Sequence, residues 1–425
     1  WGLGALCTAT AQHLIKTLDD NSIPEDYRVA VIGRFKAGKS SFVNELLEQK
    51  LASEDTNPET AAITSFKNGP VVKATIRFVE SEVWRPLVLA HDKDSNDPEA
   101  HRVKKWRKFS EVDEDKDDTA KFDLAEVERT HVKPGGHEIV ILRPTGATAE
   151  QERKNGVKFR KDIKQYTSGA RPYHCLVEAI EIETPSNLLE EGVTLIDTPG
   201  LDDTERFRVQ LTENAVEDVD CVLFLTKSGA SYGQSEKEFL LSLLRKGTVK
   251  QLLFVVTQVD QTYEQYIRQA EDNDEDPEPI SNRIGTEERR LRNELVQTLA
   301  ELAENEDSVS ASKYKEQLEN VEIVFTSALN HRDWLKSKTV SYPILKNDPG
   351  GMKAAKTKLY SVLSTESRLA NAVTNTRTEA AAAIEAMLAS INQRKKTMKQ
   401  LRNKEEAERK LSTFREQFGI ACRNF

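Results

Sequence analysis

Apolar residues fall along this chain in short runs separated by charged stretches, and several runs end on glycine, threonine or aspartate. "YRVAVIG" (27–33), "GVTLID" (192–197), "QLLFVVT" (251–257) and "VEIVF" (321–325) are near-continuous runs, which predict buried strands of a largely parallel sheet. "VVKATIRFVE" (71–80) and "CLVEAIEIETP" (175–185) alternate instead, predicting two strands that pair antiparallel within the same sheet. "GHEIVILRP" (136–144) predicts a further strand added at the edge. Between the strands the period changes: Phe42, Leu46 and Leu47 recur at helical spacing after the first run. "KTKLYSVLSTE" (356–366) is expected to be the closing helix of this α/β unit.

Helical patterns flank the unit on both sides. "GALCTATAQHLIKTLDD" (4–20) is a plausible amphipathic helix, and a proline-free tract runs from about 368 to 419. Ile384, Leu388, Ile391, Met398, Leu401, Leu411, Phe414 and Phe418 form its apolar positions. A helix of that length needs partner helices to bury its stripe. The expected division is therefore a helix over 1–25, an α/β domain over 26–365 with an insert at about 81–173, and an incomplete helical segment over 366–425.

Composition narrows the classes. The 425 residues exceed one ordinary core. Charged residues make up 31%, the net charge is −9, and nothing favours nucleic acid as the main ligand. Cys7, Cys175, Cys221 and Cys422 are scattered without a C-x-x-C pair, which suits a reducing cytosol and indicates neither a disulfide framework nor a zinc site. No run approaches the roughly 20 apolar residues of a membrane span, and the N-terminus does not read as a signal peptide. A chain that opens on Trp1 and stops within a helical pattern is expected to belong to something longer.

The chemistry sits where the strands end. "GRFKAGKSS" (33–41) fits G-x-x-x-x-G-K-[ST] between a strand and a helix, the setting that motif requires. Backbone N–H groups along Gly33, Phe35, Lys36, Ala37, Gly38, Ser40 and Ser41 can wrap phosphates, Lys39 adds a charge, and Ser40 can ligate Mg²⁺. "DTPG" places Asp197 as a second metal ligand and the Gly200 N–H near a γ-phosphate. "TQVD" ends its strand at Thr257 and Gln258, with Asp260 able to accept from N1–H and the amine of guanine. "TSA" places Ser327 and Ala328 where backbone can meet guanine O6. Each motif alone is weak, but four in this order at strand ends imply GTP or GDP with Mg²⁺.

With these motifs the chain resembles the dynamin superfamily, especially the bacterial dynamin-like proteins. "GRFKAGKSSFVNELL", "NPETAAITSFKNG" and "DTPGLDD" carry the resemblance, together with the helical flanks. It implies a P-loop GTPase domain with helices on both sheet faces and a helical neck. It further implies GTP hydrolysis, a homodimer through the nucleotide face, and a cytoplasmic protein with a peripheral membrane contact. It also implies a switch threonine on Mg²⁺, Thr64 being preferred to Thr60. Two departures stand out: Gln258 occupies the place of the usual base-side lysine, and Phe35 that of a water-orienting glutamine, with Leu201 after "DTPG". Lys36 stands where dynamins carry a small residue and a monovalent cation. Its ammonium either replaces that cation in catalysis or is a solvated lysine.

The remaining readings stay open. "HRVKKWRKF" (101–109) interleaves basic and aromatic residues, as a lipid or partner contact or as a solvated helix, and "EVDEDKDD" behind it offsets the charge. His91, His101, His131 and His137 show no metal-ligand spacing. "EDNDEDPEPIS" (271–281) is an acidic surface loop on the base-reading side. For function, a mechanochemical GTPase competes with a slow GTP-gated switch that recruits a partner. A ribosome-associated GTPase is a third reading, without a basic RNA-binding domain to support it.

Overall fold

The computed structural model describes residues 26–364, apart from 53–61, 91–97, 111–121, 191, 202–205, 217–218, 231–233, 247–250 and 304–320, with short helical pieces between 384 and 416. The segment 4–20, Thr60, His91, "EVDEDKDD" and most of the 368–419 tract lie outside the described residues. The chain divides into two compact units, Glu25–Ser364 and the combination of Trp1–Pro24 with Thr365–Phe425.

Among the described residues nine strands build one sheet: β1 (Tyr27–Gly33), β2 (Ile63–Asn68), β3 (Lys73–Phe78), β4 (His137–Leu142), β5 (Val177–Thr184), β6 (Val193–Asp197), β7 (Cys221–Lys227), β8 (Gln251–Thr257) and β9 (Glu322–Phe325). Their order is β4-β3-β5-β2-β6-β1-β7-β8-β9. From β6 to β9 every pairing is parallel. Parallel neighbours need crossovers, and the helices supply them on both faces. The helices are α1 (Lys39–Leu46), α2 (Ser81–Ala90), α3 (Pro98–Lys108), α4 (Leu124–His131), α5 (Ala149–Thr167), α6 (Arg206–Val216), α7 (Gln234–Lys246), α8 (Val259–Asp272), α9 (Ile280–Ala303), α10 (Ala328–Leu335) and α11 (Met352–Leu363).

Alternation along β1 shows why this run is apolar throughout. Val29 and Val31 point into a core with Phe42 and Leu46 of α1 and Leu359 of α11. Ala30 and Ile32 point into the opposite core with Val216 of α6, Leu240 of α7 and Leu295 of α9. Both faces are covered, so neither tolerates a polar side chain.

The other half of the sheet is antiparallel where the alternating segments predicted it: β3 lies between β5 and β4, and β4 forms the edge. Ala74, Ile76 and Phe78 of β3 are fully buried. On the opposite face Lys67–Glu181 (2.8 Å), Lys73–Glu183 (2.7 Å) and Arg77–Glu138 (3.0 Å) form cross-strand ion pairs. The insert is part of the main core. Trp84 of α2 and Trp106 of α3 meet edge to face at 5.6 Å, and Val103, Phe159 and Ile163 join the same cluster as Phe42. Trp106 of "HRVKKWRKF" is thus a core residue, 3% exposed, while Lys104 and Lys108 face solvent. That arrangement is a half-buried helix, which overturns the reading of Trp106 as a surface contact.

Candidate functional site

β1 ends at Gly33 and the chain turns through Arg34–Ala37 into α1, whose N-cap Gly38 has φ 83. Only glycine adopts that conformation without strain, and it turns the first N–H groups of α1 toward the loop. Lys39, 8% exposed, donates from Nζ to the carbonyls of Gly33 (2.9 Å) and Arg34 (3.0 Å). Phe35 is half-buried, and a Cβ at Gly200 would fall 2.9 Å from its backbone nitrogen. The loop after β6 therefore packs directly on the phosphate loop. Ser41 lies in the first turn of α1, beside Ser40.

Asp197 ends β6, in register with Val31 of β1. Ser40 Oγ donates to its Oδ2 at 2.8 Å, while its Oδ1 is buried with no hydrogen-bond partner. Burial pushes the carboxyl up to about 6, against the pull of Lys39, the Ser40 hydroxyl and the Thr198 N–H. An orphaned carboxylate oxygen beside a hydroxyl is a donor set that fits a hard divalent cation such as Mg²⁺. Thr64, 9% exposed, lies in β2 directly opposite Asp197 in the antiparallel ladder, so the two side chains share one face. The strand fixes Thr64 beside the candidate metal site.

The candidate base-reading residues after β8 are tied to the 33–41 loop. Thr257 Oγ1 donates to the Ala37 carbonyl at 2.7 Å, and Gln258 Nε2 donates to the Lys36 carbonyl at 2.7 Å. Gln258 and Lys36 both lie in the left-handed region, with φ 56 and 63. The Lys36 ammonium is exposed, 5.2 Å over the Phe35 ring. Asp260, 7% exposed, is in the first turn of α8. Ser327 caps α10, its Oγ accepting from Asn330 N–H at 3.0 Å, and its own N–H donates to Gly350 at 2.9 Å. Ala328 is the first residue of that helix. Arg332 of α10 binds Glu45 of α1 at 3.0 Å, linking the two halves of the site. The Gln258–Lys36 and Gly350–Ser327 bonds are the features that sequence reading missed. Neither leaves a local signal, because their partners are far apart in the chain.

A family model described as the Dynamin family matches residues 29–259. Dynamin-like protein 1 of Campylobacter jejuni is 23% identical over 235 residues, 55% of this chain and 28% of its own length. Bacterial dynamin-like protein of Nostoc punctiforme is 25% identical over 275 residues, 65% of this chain and 29% of its length. The chain thus spans less than a third of the length of these curated relatives. A solved structure of an oligomerised bacterial dynamin pair, described as sensing and tethering membranes, is 18% identical, covers 98% of this chain and 50% of that chain, and has a TM-score of 0.49.

Proposed function

This chain is a member of the dynamin family, and from that premise we propose that it binds GTP with Mg²⁺ and hydrolyses it to GDP and phosphate. The observation that carries this reading is the convergence at one edge of the sheet. Lys39 follows β1, Asp197 ends β6, and Asp260 and Ala328 follow β8 and β9. The carboxyl ends of parallel strands are where such sheets bind ligands.

In the proposed reaction Lys39 leaves the carbonyls of its own loop to hold the β and γ phosphates. Ser40 and Asp197 would hold Mg²⁺, with Thr64 beside them, and the chemistry it would supply is charge neutralisation at the phosphate oxygens. The Gly200 N–H faces the γ-phosphate. Asp260 accepts from the guanine N1–H and amine, a pattern that adenine cannot supply. Phe35 and Leu201 offer no polar group to orient water, which supports slow hydrolysis unless a partner completes the site. A catalytic role for Lys36 requires its stem to leave the Phe35 ring.

The finer proposal is that two copies meet across the nucleotide face and that the helical unit acts as a neck toward a peripheral membrane contact. In its described pieces Ile384, Leu388 and Leu411 are 50%, 54% and 55% exposed, as expected of a helix awaiting partners. A slow GTP-gated switch is the alternative that Phe35 and Leu201 favour. Steady-state phosphate release separates the two. Turnover per molecule should rise with protein concentration or with liposomes, whereas a constant low value supports the switch. Lys39→Ala should abolish turnover in either case, and wild-type turnover in that variant would remove the site assignment. Thr64→Ala should weaken Mg²⁺-dependent turnover, and a silent Thr64→Ala beside a damaging Thr60→Ala would reassign the switch threonine.

A further inference from the structure

The segment 342–351 touches both walls of the proposed base site. Ile344 N–H donates to the Pro349 carbonyl at 3.0 Å and Asp348 N–H to the Leu345 carbonyl at 3.2 Å, closing the segment into a compact turn. At one end Tyr342 packs edge-on against Tyr263, with ring centroids 5.3 Å apart. Tyr263 stands on α8, three residues beyond Asp260, where neighbouring helical positions share a face. At the other end the Gly350 carbonyl receives the Ser327 N–H. Asn330 completes the join: its Nδ2 donates to the Tyr342 carbonyl at 2.8 Å and reaches the Pro349 carbonyl at 3.4 Å.

Gly350 seats this turn directly on backbone. A Cβ there would fall 2.7 Å from the Ser327 carbonyl oxygen and 2.5 Å from His331 Cβ. Gly351 has φ +66, and its Cβ would fall 2.0 Å from the Phe325 carbonyl oxygen. No side chain fits between the turn and the loop that starts α10, so a shift of one shifts the other.

We propose that this turn is a positioning element for recognition of the C6 oxygen of guanine, acting through Asn330 and Gly350. Because the Ser327 N–H is committed to Gly350, the Ala328 N–H at the head of α10 is the donor that the turn aims at that oxygen. The inference rests on the guanine reading of Asp260 given above.

Three diphosphates test it by titration: GDP, IDP (without the 2-amino group) and 6-thio-GDP (without the 6-oxygen, a weakly accepting sulfur in its place and the N1–H kept). The wild-type protein should prefer GDP to both analogues. In Asn330→Ala the affinities for GDP and IDP should both fall about tenfold, the worth of one hydrogen bond, while the analogue without the oxygen binds as before. Tyr342→Leu, at a half-buried position, should give the same pattern with a smaller loss and serves if Asn330→Ala does not fold. The readout is a ratio within one protein, so a general loss of stability does not imitate it. Equal loss for all three ligands, or a wild-type ratio in either folded variant, would overturn the positioning role. A wild-type protein that binds ADP as tightly as GDP would instead overturn the guanine reading, and this inference with it.

Discussion

Gln258 holds a strained backbone position, and its amide keeps the Lys36 carbonyl at 2.7 Å. A left-handed non-glycine residue costs about 1–2 kcal/mol, so the tether has to offset that strain. Gln258→Ala should weaken GDP binding by about 1 kcal/mol, because the Lys36 carbonyl loses its donor and the loop loosens. Gln258→Lys should tighten binding by about 1 kcal/mol, since a lysine stem lies along the base and its ammonium can still reach the carbonyl. Calorimetric titration of GDP into both variants checks this, and weaker binding by Gln258→Lys would mean that the amide tether outweighs the stem. The strand, glycine loop and helix of 27–46 were legible in the sequence because the apolar run, the glycines and the helical spacing follow one another directly. The partners of Gln258 and Ser327 were not, because 222 positions separate Gln258 from Lys36 and only the folded sheet brings them together.

Among the elements, the antiparallel β3–β5 pair was legible because one face is buried and the other carries ion pairs, which writes alternation into the sequence. The edge strand β4 instead reads as an apolar run, because Val140 and Leu142 on its outer face are exposed, 56% and 62%. β7, which lies between β1 and β8, ends in no motif residue to mark it. The basic and aromatic stretch in α3 misled for a related reason: period alone does not say which side of a helix packs. His131 at the end of α4 gives this region a testable pH response. It is 8% exposed, stacks on Phe78 at 4.5 Å, and has Nδ1 buried without a partner. Burial first, then the charges of His137 and Lys133, lower its pKa to about 4. The unfolded chain takes up a proton near pH 6.5 that the folded chain refuses until about pH 4. Stability from this group is therefore complete above pH 6.5 and declines as pH falls toward 4, by on the order of 2 kcal/mol. Urea unfolding at pH 7 and pH 4.5 should show a smaller loss for His131→Phe than for the wild-type protein. Equal losses would place the acid sensitivity elsewhere.

At the scale of the molecule, the strand order makes the site. Placing β1 between β6 and β7, with β8 and β9 beyond, brings segments from opposite ends of the domain to one edge. The 33–41 loop, Asp197 and Asp260 then stand at the carboxyl ends of the parallel strands β1, β6 and β8. Among the described residues no helix is long and apolar enough to cross a membrane. Guanine is proposed to be read through Asp260, and exchanging one of its acceptors for a donor puts that reading to the test. Asp260→Asn replaces a carboxylate oxygen with an amide N–H, which can pair with the C2 carbonyl of xanthine but not with the amine of guanine. Titration with fluorescent GDP, XDP and ADP should show the wild-type protein binding GDP alone and Asp260→Asn binding XDP in preference to GDP. Wild-type protein that binds ADP as tightly as GDP, or Asp260→Asn protein that keeps its preference for GDP, would show that Asp260 does not read guanine.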